Sequence, residues 1–332
     1  MQNLRGSLVR HRRSLAVLSM FLLGLASAPA VAETYPSRTV NIVVPYPAGG
    51  SVDGVARIIT QKLNESLGQY FIVDNRAGGA GGIVGANYVA KAAPDGTTLL
   101  LTASIHVITP FLNKTIPYDV VKDFTPITLI ASTPLLVSSA PNVPANTLKE
   151  FFDLVRKDPN KYTFATSSFG SAGHLAIELL KRDAGLDTLV IAYKGASPAL
   201  NDLMGGQIQL MVDPMLSSLP LAQSKAIKAL AITSAKRSPA APEIPTVAEA
   251  GMTGFEFVSW YGLWAPKSLS PALVDKLQTE VAKILAMPDV KQRLETLGFE
   301  PIGSSTEYFT KFIASEMEKS GKIISDAKIK TE

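Results

Sequence analysis

The chain has 332 residues, 46% apolar, 18% charged and 7% aromatic, with 24 Gly, 22 Pro and no Cys, the usage of a globular protein long enough for two domains. The absence of cysteine excludes disulfide scaffolds, thiolate metal sites and cysteine nucleophiles. Only three histidines occur, and His106 and His174 are too far apart in sequence to suggest a metal site once His11 is set aside.

The first 32 residues account for the net charge of +4. Arg5, Arg10, Arg12 and Arg13 precede an apolar stretch from Leu15 to Leu25 that is too short to span a bilayer, and Ala30-Val31-Ala32 has the small-x-small cleavage pattern. This is read as a secretory signal peptide, residues 1–32, directing the chain to the periplasm. The pair Arg12-Arg13 leaves open whether export follows the general or the twin-arginine route. Cleavage after Ala32 would remove four Arg and no acid from a chain with 32 Lys+Arg and 28 Asp+Glu, leaving the two signs balanced. No Lys/Arg-rich stripe with interleaved aromatics follows, so a nucleic-acid partner is not expected.

Beyond the leader, strand-like and helix-like segments alternate. Val40 to Val44 is a β-branched run ending at Pro45, as expected for a strand buried on both faces. A helix is predicted next, with Ser51 as N-cap and Val55, Ile58, Ile59, Leu63 and Leu67 at helical spacing before Gly68. Tyr70 to Val73 reads as a strand, the glycine-dense turn Gly78 to Gly82 leads into a helix from Val84 to Lys91, and Thr98 to Thr102 is a third strand. This β-α-β-α-β order predicts a parallel sheet covered by helices. Phe124 to Ser138, interrupted by Pro126 and Pro134, reads as a long crossing strand or hinge.

The alternation then restarts. Helices are predicted over Thr147 to Arg156, Ala172 to Arg182 and Pro198 to Met204, and strands over Tyr162 to Ala165, Leu189 to Tyr193, Gln209 to Val212 and Ala229 to Thr233. Val258 to Ala265 is extended, and Pro271 to Leu285, Val290 to Leu297 and Thr306 to Lys322 are helical. Two α/β lobes joined by extended crossings place a ligand in the cleft between the carboxyl ends of their strands. The expected boundaries are 33–131 with 255–332 for the first lobe and 132–254 for the second.

Three strand-to-helix loops share one chemistry: Pro45 to Ser51, Ser167 to His174, and Tyr193 to Ala199. Each puts small residues and hydroxyls where a helix begins, and free N–H groups at the positive end of a helix dipole accept an anion. Enzymatic readings fail on spacing. Ser171 follows Phe169 where a nucleophile elbow needs Gly, and Ala80 stands where a dinucleotide fingerprint needs its first Gly. Asp53 with Asp74 or Asp213 could be drawn as a carboxylate pair, but nothing in the sequence joins them. Tyr261 to Pro266, with Trp260 before it, is an aromatic cluster that either packs the core or lines the hinge side of the cleft.

Several runs together resemble the periplasmic substrate-binding proteins of tripartite tricarboxylate transporters, the Bug family. They are Val40 to Asp53, Asn75 to Gly81, Pro94 to Thr97, Tyr193 to Gly195, Thr246 to Gly251 and Trp260 to Pro266. The resemblance implies a two-lobe type II binding-protein fold, a mixed sheet flanked by helices in each lobe, with a ligand carboxylate held mostly by backbone groups and waters. Carried over, the contacts are Tyr46, Ala48, Gly49, Gly50, Ser51 and Asp53; Ser104 and His106; Ser168, Ser171 and His174; and Tyr193, Gly195, Ala196, Pro198 and Ala199, with Asp213 as a wall residue. It also implies no cofactor, metal or catalysis, a small organic carboxylate as ligand, membrane permease subunits as partners, and a monomer. A ligand-sensing module for a signalling kinase would have the same fold and is the alternative function.

Overall fold

In the computed structural model, which describes residues 35–329, the β-branched run Val40–Val44 is strand β1, with four of its five residues buried. The expected leader and its cleavage site lie outside the described residues. Phe71–Asn75 (β2) and Thr98–Ala103 (β3) flank β1, both parallel to it, with Val43 opposite Asp74 on one side and Leu100 on the other. The crossovers are helices α1 (Ser51–Leu67) and α2 (Ile83–Ala90). A stripe of Val55, Ile58, Ile59 and Leu63 buries one face of α1, and Gly68 ends it in the left-handed conformation at φ 64°.

The crossing segment is β4, Phe124–Ser139, sixteen residues that join two parallel groups of strands. Its first part pairs antiparallel with β9 (Val258–Pro266), from Phe124 opposite Pro266 to Pro134 opposite Val258, and β9 in turn pairs antiparallel with β3. Its last part lies between β7 (Leu210–Pro214) and β8 (Lys228–Ile232), so that Leu136 faces both Asp213 and Ile232. β5 (Phe164–Thr166) runs parallel to β7 and to β6 (Val190–Ala192). The order is β2-β1-β3-β9-β4-β7-β5-β6, with a short β10 (Glu300–Pro301) also on β4. Prolines at 126 and 134 are accommodated where the ladder shifts register near Pro126 and where pairing passes from β9 to β7.

Helices α4 (Leu148–Lys157), α5 (Ala172–Ala184) and α6 (Ala196–Met204) connect the second group of strands. Thr147 and Glu150 form a reciprocal capping box on α4, the signal that makes its start legible. α8 (Pro271–Ala286), α9 (Pro288–Thr296) and α10 (Thr306–Asp326) return to the first group. Two helices, α3 (Ile105–Leu112) and α7 (Met215–Gln223), occupy segments for which the sequence predicts no helix, because each carries an internal proline, Pro110 and Pro220. Ser51 is also corrected: it is the first helical residue of α1, and Gly50 is the N-cap.

The side chains of β9 separate the two roles its aromatics could have. Trp260 and Trp264 pack on Phe309 of α10, and Trp260 Nε1 donates to Glu316 Oε2 at 2.9 Å, so this face is core. Tyr261 alternates to the opposite face, where Phe299 meets it edge-on. From Arg38 onward the described chain forms one compact unit.

Candidate functional site

The loop after β1 is braced by Asp53. Its carboxylate accepts from the Gly49 N–H at 3.0 Å, from Arg57 Nε at 2.8 Å and Nη2 at 3.0 Å, and from Asn75 Nδ2 at 3.0 Å. Burial alone would raise its pKa, but hydrogen bonds from Arg57, Gly49 and Asn75 outweigh it and hold the group below the usual carboxylate range. With its acceptors so engaged, Asp53 positions the loop. Asn75 Nδ2 also donates to the Tyr46 carbonyl at 3.1 Å, and Tyr46 Oη pairs with Thr102 Oγ1 at 2.8 Å. The loop is therefore fixed at both ends while Pro47, Ala48 and Gly49 stay exposed and Gly50 and Ser51 half-buried.

The loop after β5 binds mostly to itself. Ser171 is the N-cap of α5, its Oγ accepting from the His174 N–H at 3.2 Å and pairing with Thr166 Oγ1 at 2.8 Å. His174 Nδ1 accepts from the Gly170 N–H at 3.1 Å, which puts the ring proton on Nε2, 4.0 Å from Glu178 Oε1. Burial, with the charge of Lys181, pushes this histidine down to about 4. Ser168 is half-buried, its hydroxyl turned to the Phe169 carbonyl at 3.3 Å.

The loop after β6 is tied to the second by Gly195 N–H donating to the Ser167 carbonyl at 2.8 Å. Tyr193 Oη donates to Asp202 Oδ2 at 2.6 Å, and burial with that carboxylate pushes the phenol up to about 12. Gly195 has φ 123° and ψ 164°, a conformation reserved for glycine, and it caps α6 without a side chain. Ala196 is half-buried and Pro198 exposed, whereas Ala199 is packed at 0% exposure. Lys194 is exposed.

A contrast emerges among the three helix starts. The N-cap Ser171 satisfies an N–H of α5, but Gly50 and Gly195 offer α1 and α6 no side-chain cap. The leading N–H groups of those two helices have no intrahelical acceptor, and the positive ends of both dipoles reinforce them. An oxyanion is the group that fits.

Asp213 closes the arrangement at the end of β7. It is 1% exposed, its Oδ2 has no hydrogen-bond partner within the chain, and burial, opposed by the Ser167 and Ser217 hydroxyls, pushes it up to about 7. Tyr261 lies within electrostatic reach of this carboxyl and beside the Ser51 hydroxyl, so the sequence Ser51, Tyr261, Asp213, Ser167 runs from the first loop to the second. Gly54 of α1 approaches Leu216 of α7, and Gly170 approaches Leu112 of α3, so helices and loops that follow the two groups of strands meet there.

Three of the expected residues, Ser104, His106 and the fully packed Ala199, are not brought into this arrangement. His106 is 1% exposed and boxed by Tyr118, Phe124 and Trp264 at ring separations of 5.7, 4.8 and 5.2 Å, and burial pushes it down to about 3. Ser104 is buried beside it, its backbone N–H on the Trp260 carbonyl. Thr102, Asn75 and Ser217 were missed by sequence reasoning, and Ser167 and Tyr261 lay in runs it singled out, the second loop and the aromatic cluster, without being named as contacts. For Tyr261 the further signal was the two-residue alternation that opposes it to Trp260 and Trp264. Among the described residues no cluster of His, Asp or Glu could hold a metal ion. Two surface cavities, one beside α4 and α7 and one beside β4 and β9, are lined by none of the loop residues.

Two parallel strand groups joined by crossing strands, with anion-accepting loops at the strand ends of both, define a type II periplasmic-binding-protein fold. Residues 55–329 match the tripartite tricarboxylate transporter family receptor, and the chain belongs to that family. Protein BugT of Bordetella pertussis is 35% identical over 96% of this chain and 99% of its own. Among solved structures, Rpa4515 of R. palustris with adipate is similar at TM-score 0.87 and 35% identity, covering 90% of this chain and all of that one. MatC from Rhodopseudomonas palustris with bound malate is similar at TM-score 0.81 and 33% identity, covering 87% of this chain and all of that one.

Proposed function

We propose that this chain is a periplasmic receptor that captures a small organic carboxylate and delivers it to the membrane subunits of a tripartite tricarboxylate-type transporter. The observation that carries the reading is the pair of glycine-capped helix starts, α1 at Gly50 and α6 at Gly195, one at a strand end of each parallel group. A carboxylate bridging them takes N–H groups from Gly50, Ser51 and Ala196, with Gly195, whose own N–H is held by the Ser167 carbonyl, and Tyr46, Ala48, Gly49, Tyr193 and Pro198 shaping the walls. Ser168 and Asp213 face it from the second lobe. Asp53, Ser171 and His174 hold the loops in place, while Ser104, His106 and Ala199 support them from the core. The adipate and malate of the two solved relatives make a dicarboxylate the first class to try.

The lobes are residues 33–131 with 255–332 and residues 132–254, hinged on β4 and β9, after a leader that ends at Ala32. The receptor works as a monomer and performs no chemistry. Both described histidines are buried and pushed well below neutrality, and Ser171 has its hydroxyl engaged as a cap, which supports binding without turnover. Native mass spectrometry of protein recovered from the periplasm tests this directly. The reading expects a chain beginning at Glu33 carrying one acid of low mass. A retained leader would refute cleavage after Ala32, absence of the chain from the periplasm would refute export, and turnover of an added acid would refute the receptor role.

A further inference from the structure

Of the groups at the proposed site, Asp213 is the one whose state the fold leaves undetermined. Its Oδ2 is buried without a hydrogen-bond partner in the chain; the Ser167 and Ser217 hydroxyls lie near enough to oppose burial in part, but Ser217 Oγ itself makes no hydrogen bond. Each element around it contributes no positive charge. α7 brings Ser217, the loop after β5 brings Ser167, β4 brings Leu136, and β9 brings Tyr261, a phenol that burial holds neutral and that has Ser51 of α1 beside it. α5 packs its Gly173 against the Val212 carbonyl and keeps His174 on Gly170 and Glu178. A carboxylate in such surroundings is costly to ionise, and a ligand anion next to it makes ionisation costlier still. A neutral carboxyl, by contrast, has one O–H to donate, and the partner it lacks is an acceptor.

Resting on the carboxylate reading above, we propose that Asp213 is a specificity-determining hydrogen-bond donor, a neutral carboxylic acid that binds an acceptor oxygen of an anionic ligand and takes up a proton to do so. The geometry explains selection between ligand classes. An acid presents an acceptor to the O–H, whereas the corresponding amide nitrogen presents a donor. Burial already pushes the empty group to about 7, so at pH 8 binding recruits a proton and at pH 6.5 the proton is mostly in place.

The test is calorimetric titration with adipate and with malate at pH 6.5 and 8, in buffers of different ionisation heat, on the wild type and Asp213→Asn. For the wild type, affinity should fall roughly tenfold from pH 6.5 to 8, with close to one proton taken up per acid at pH 8. Asp213→Asn keeps a donor but cannot titrate; its affinity should change less than about twofold over the same range. Binding without proton uptake, or a pH dependence that survives in Asp213→Asn, overturns the proposal and leaves the carboxylate reading intact. Failure of both acids to bind at any pH counts against the dicarboxylate reading instead. Carbon-13 titration of the ligand-free chain then decides the proposal: a neutral Asp213 at pH 6.5 supports it and an ionised one overturns it.

Discussion

Replacing Gly50 by alanine separates the fold from the binding function at a single methyl group. Gly50 has φ −81° and ψ 173°, ordinary extended angles that alanine adopts freely, and a Cβ there meets only the Pro47 carbonyl oxygen at 3.8 Å. Restricting the unfolded chain should stabilise the protein by about 0.4–1 kcal/mol, but alanine is a poorer N-cap than glycine by a similar amount, so Tm should stay within a few degrees of the parent. The same methyl stands at the start of α1, where the proposed carboxylate must come within hydrogen-bond distance of the backbone. Displacing it by one contact radius loses a charge-assisted hydrogen bond, about 1.5–3 kcal/mol, or roughly 10- to 150-fold in affinity. Gly195→Ala makes the comparison. Its Cβ meets nothing within 4 Å, but φ 123° strains alanine, so Tm should fall by several degrees, for about 1–3 kcal/mol, along with affinity. Differential scanning calorimetry and titration with adipate or malate read both quantities. A Gly50→Ala protein that melts near the parent and binds as tightly would refute the backbone cradle.

Other substitutions probe the supporting parts. Ser171→Ala removes the N-cap of α5 and should cost about 1 kcal/mol in urea unfolding, with affinity changed less than about tenfold. Lys194→Ala removes an exposed cation and should leave affinity within about threefold; abolished binding would show that side-chain charge holds the anion. His106 has a folded pKa near 3, below its unfolded value, so the stability it contributes is present above about pH 6.5 and lost as pH falls below that. His106→Phe should accordingly lose about 2 kcal/mol less than the parent between pH 7 and pH 5 in urea unfolding. Asp213 has the opposite sign. Its folded pKa near 7 lies above the unfolded 3.8, so stability falls as pH rises from about 4 to 7, and Asp213→Asn should gain up to roughly 4 kcal/mol relative to the parent at pH 8 if its amide is satisfied.

The parallel strand groups were legible because buried parallel strands are written as short β-branched runs, and Val40 to Val44 is such a run. The crossing strand was legible for the converse reason, since Pro126 and Pro134 rule out a helix across a long apolar segment. The same rule hid α3 and α7. Pro110 and Pro220 each remove one N–H from a helix of eight or nine residues, and burial of residues such as Val107, Ile108 and Leu219 outweighs that loss only in the folded context. At the site, Gly-Gly-Ser identified the loop but misplaced its cap by one residue, because serine is the better capping residue while the backbone turn falls on Gly50. The link from Ser51 through Tyr261 to Asp213 was beyond reach. It depends on Leu136 of β4 facing Asp213 and on which face of β9 Tyr261 takes, both set by pairing between distant strands.

The central claim is that the two glycine-capped helix starts accept a carboxylate, and calorimetric titration of acid-free protein with adipate, malate and their dimethyl esters tests it most directly. Bound acid is first removed by unfolding, dialysis and refolding. The account expects at least one of the diacids to bind at one per chain and its diester to bind at least about a hundredfold more weakly, because esterification removes the charge that the N–H groups and helix dipoles meet. A diester that binds as tightly as its acid would contradict it.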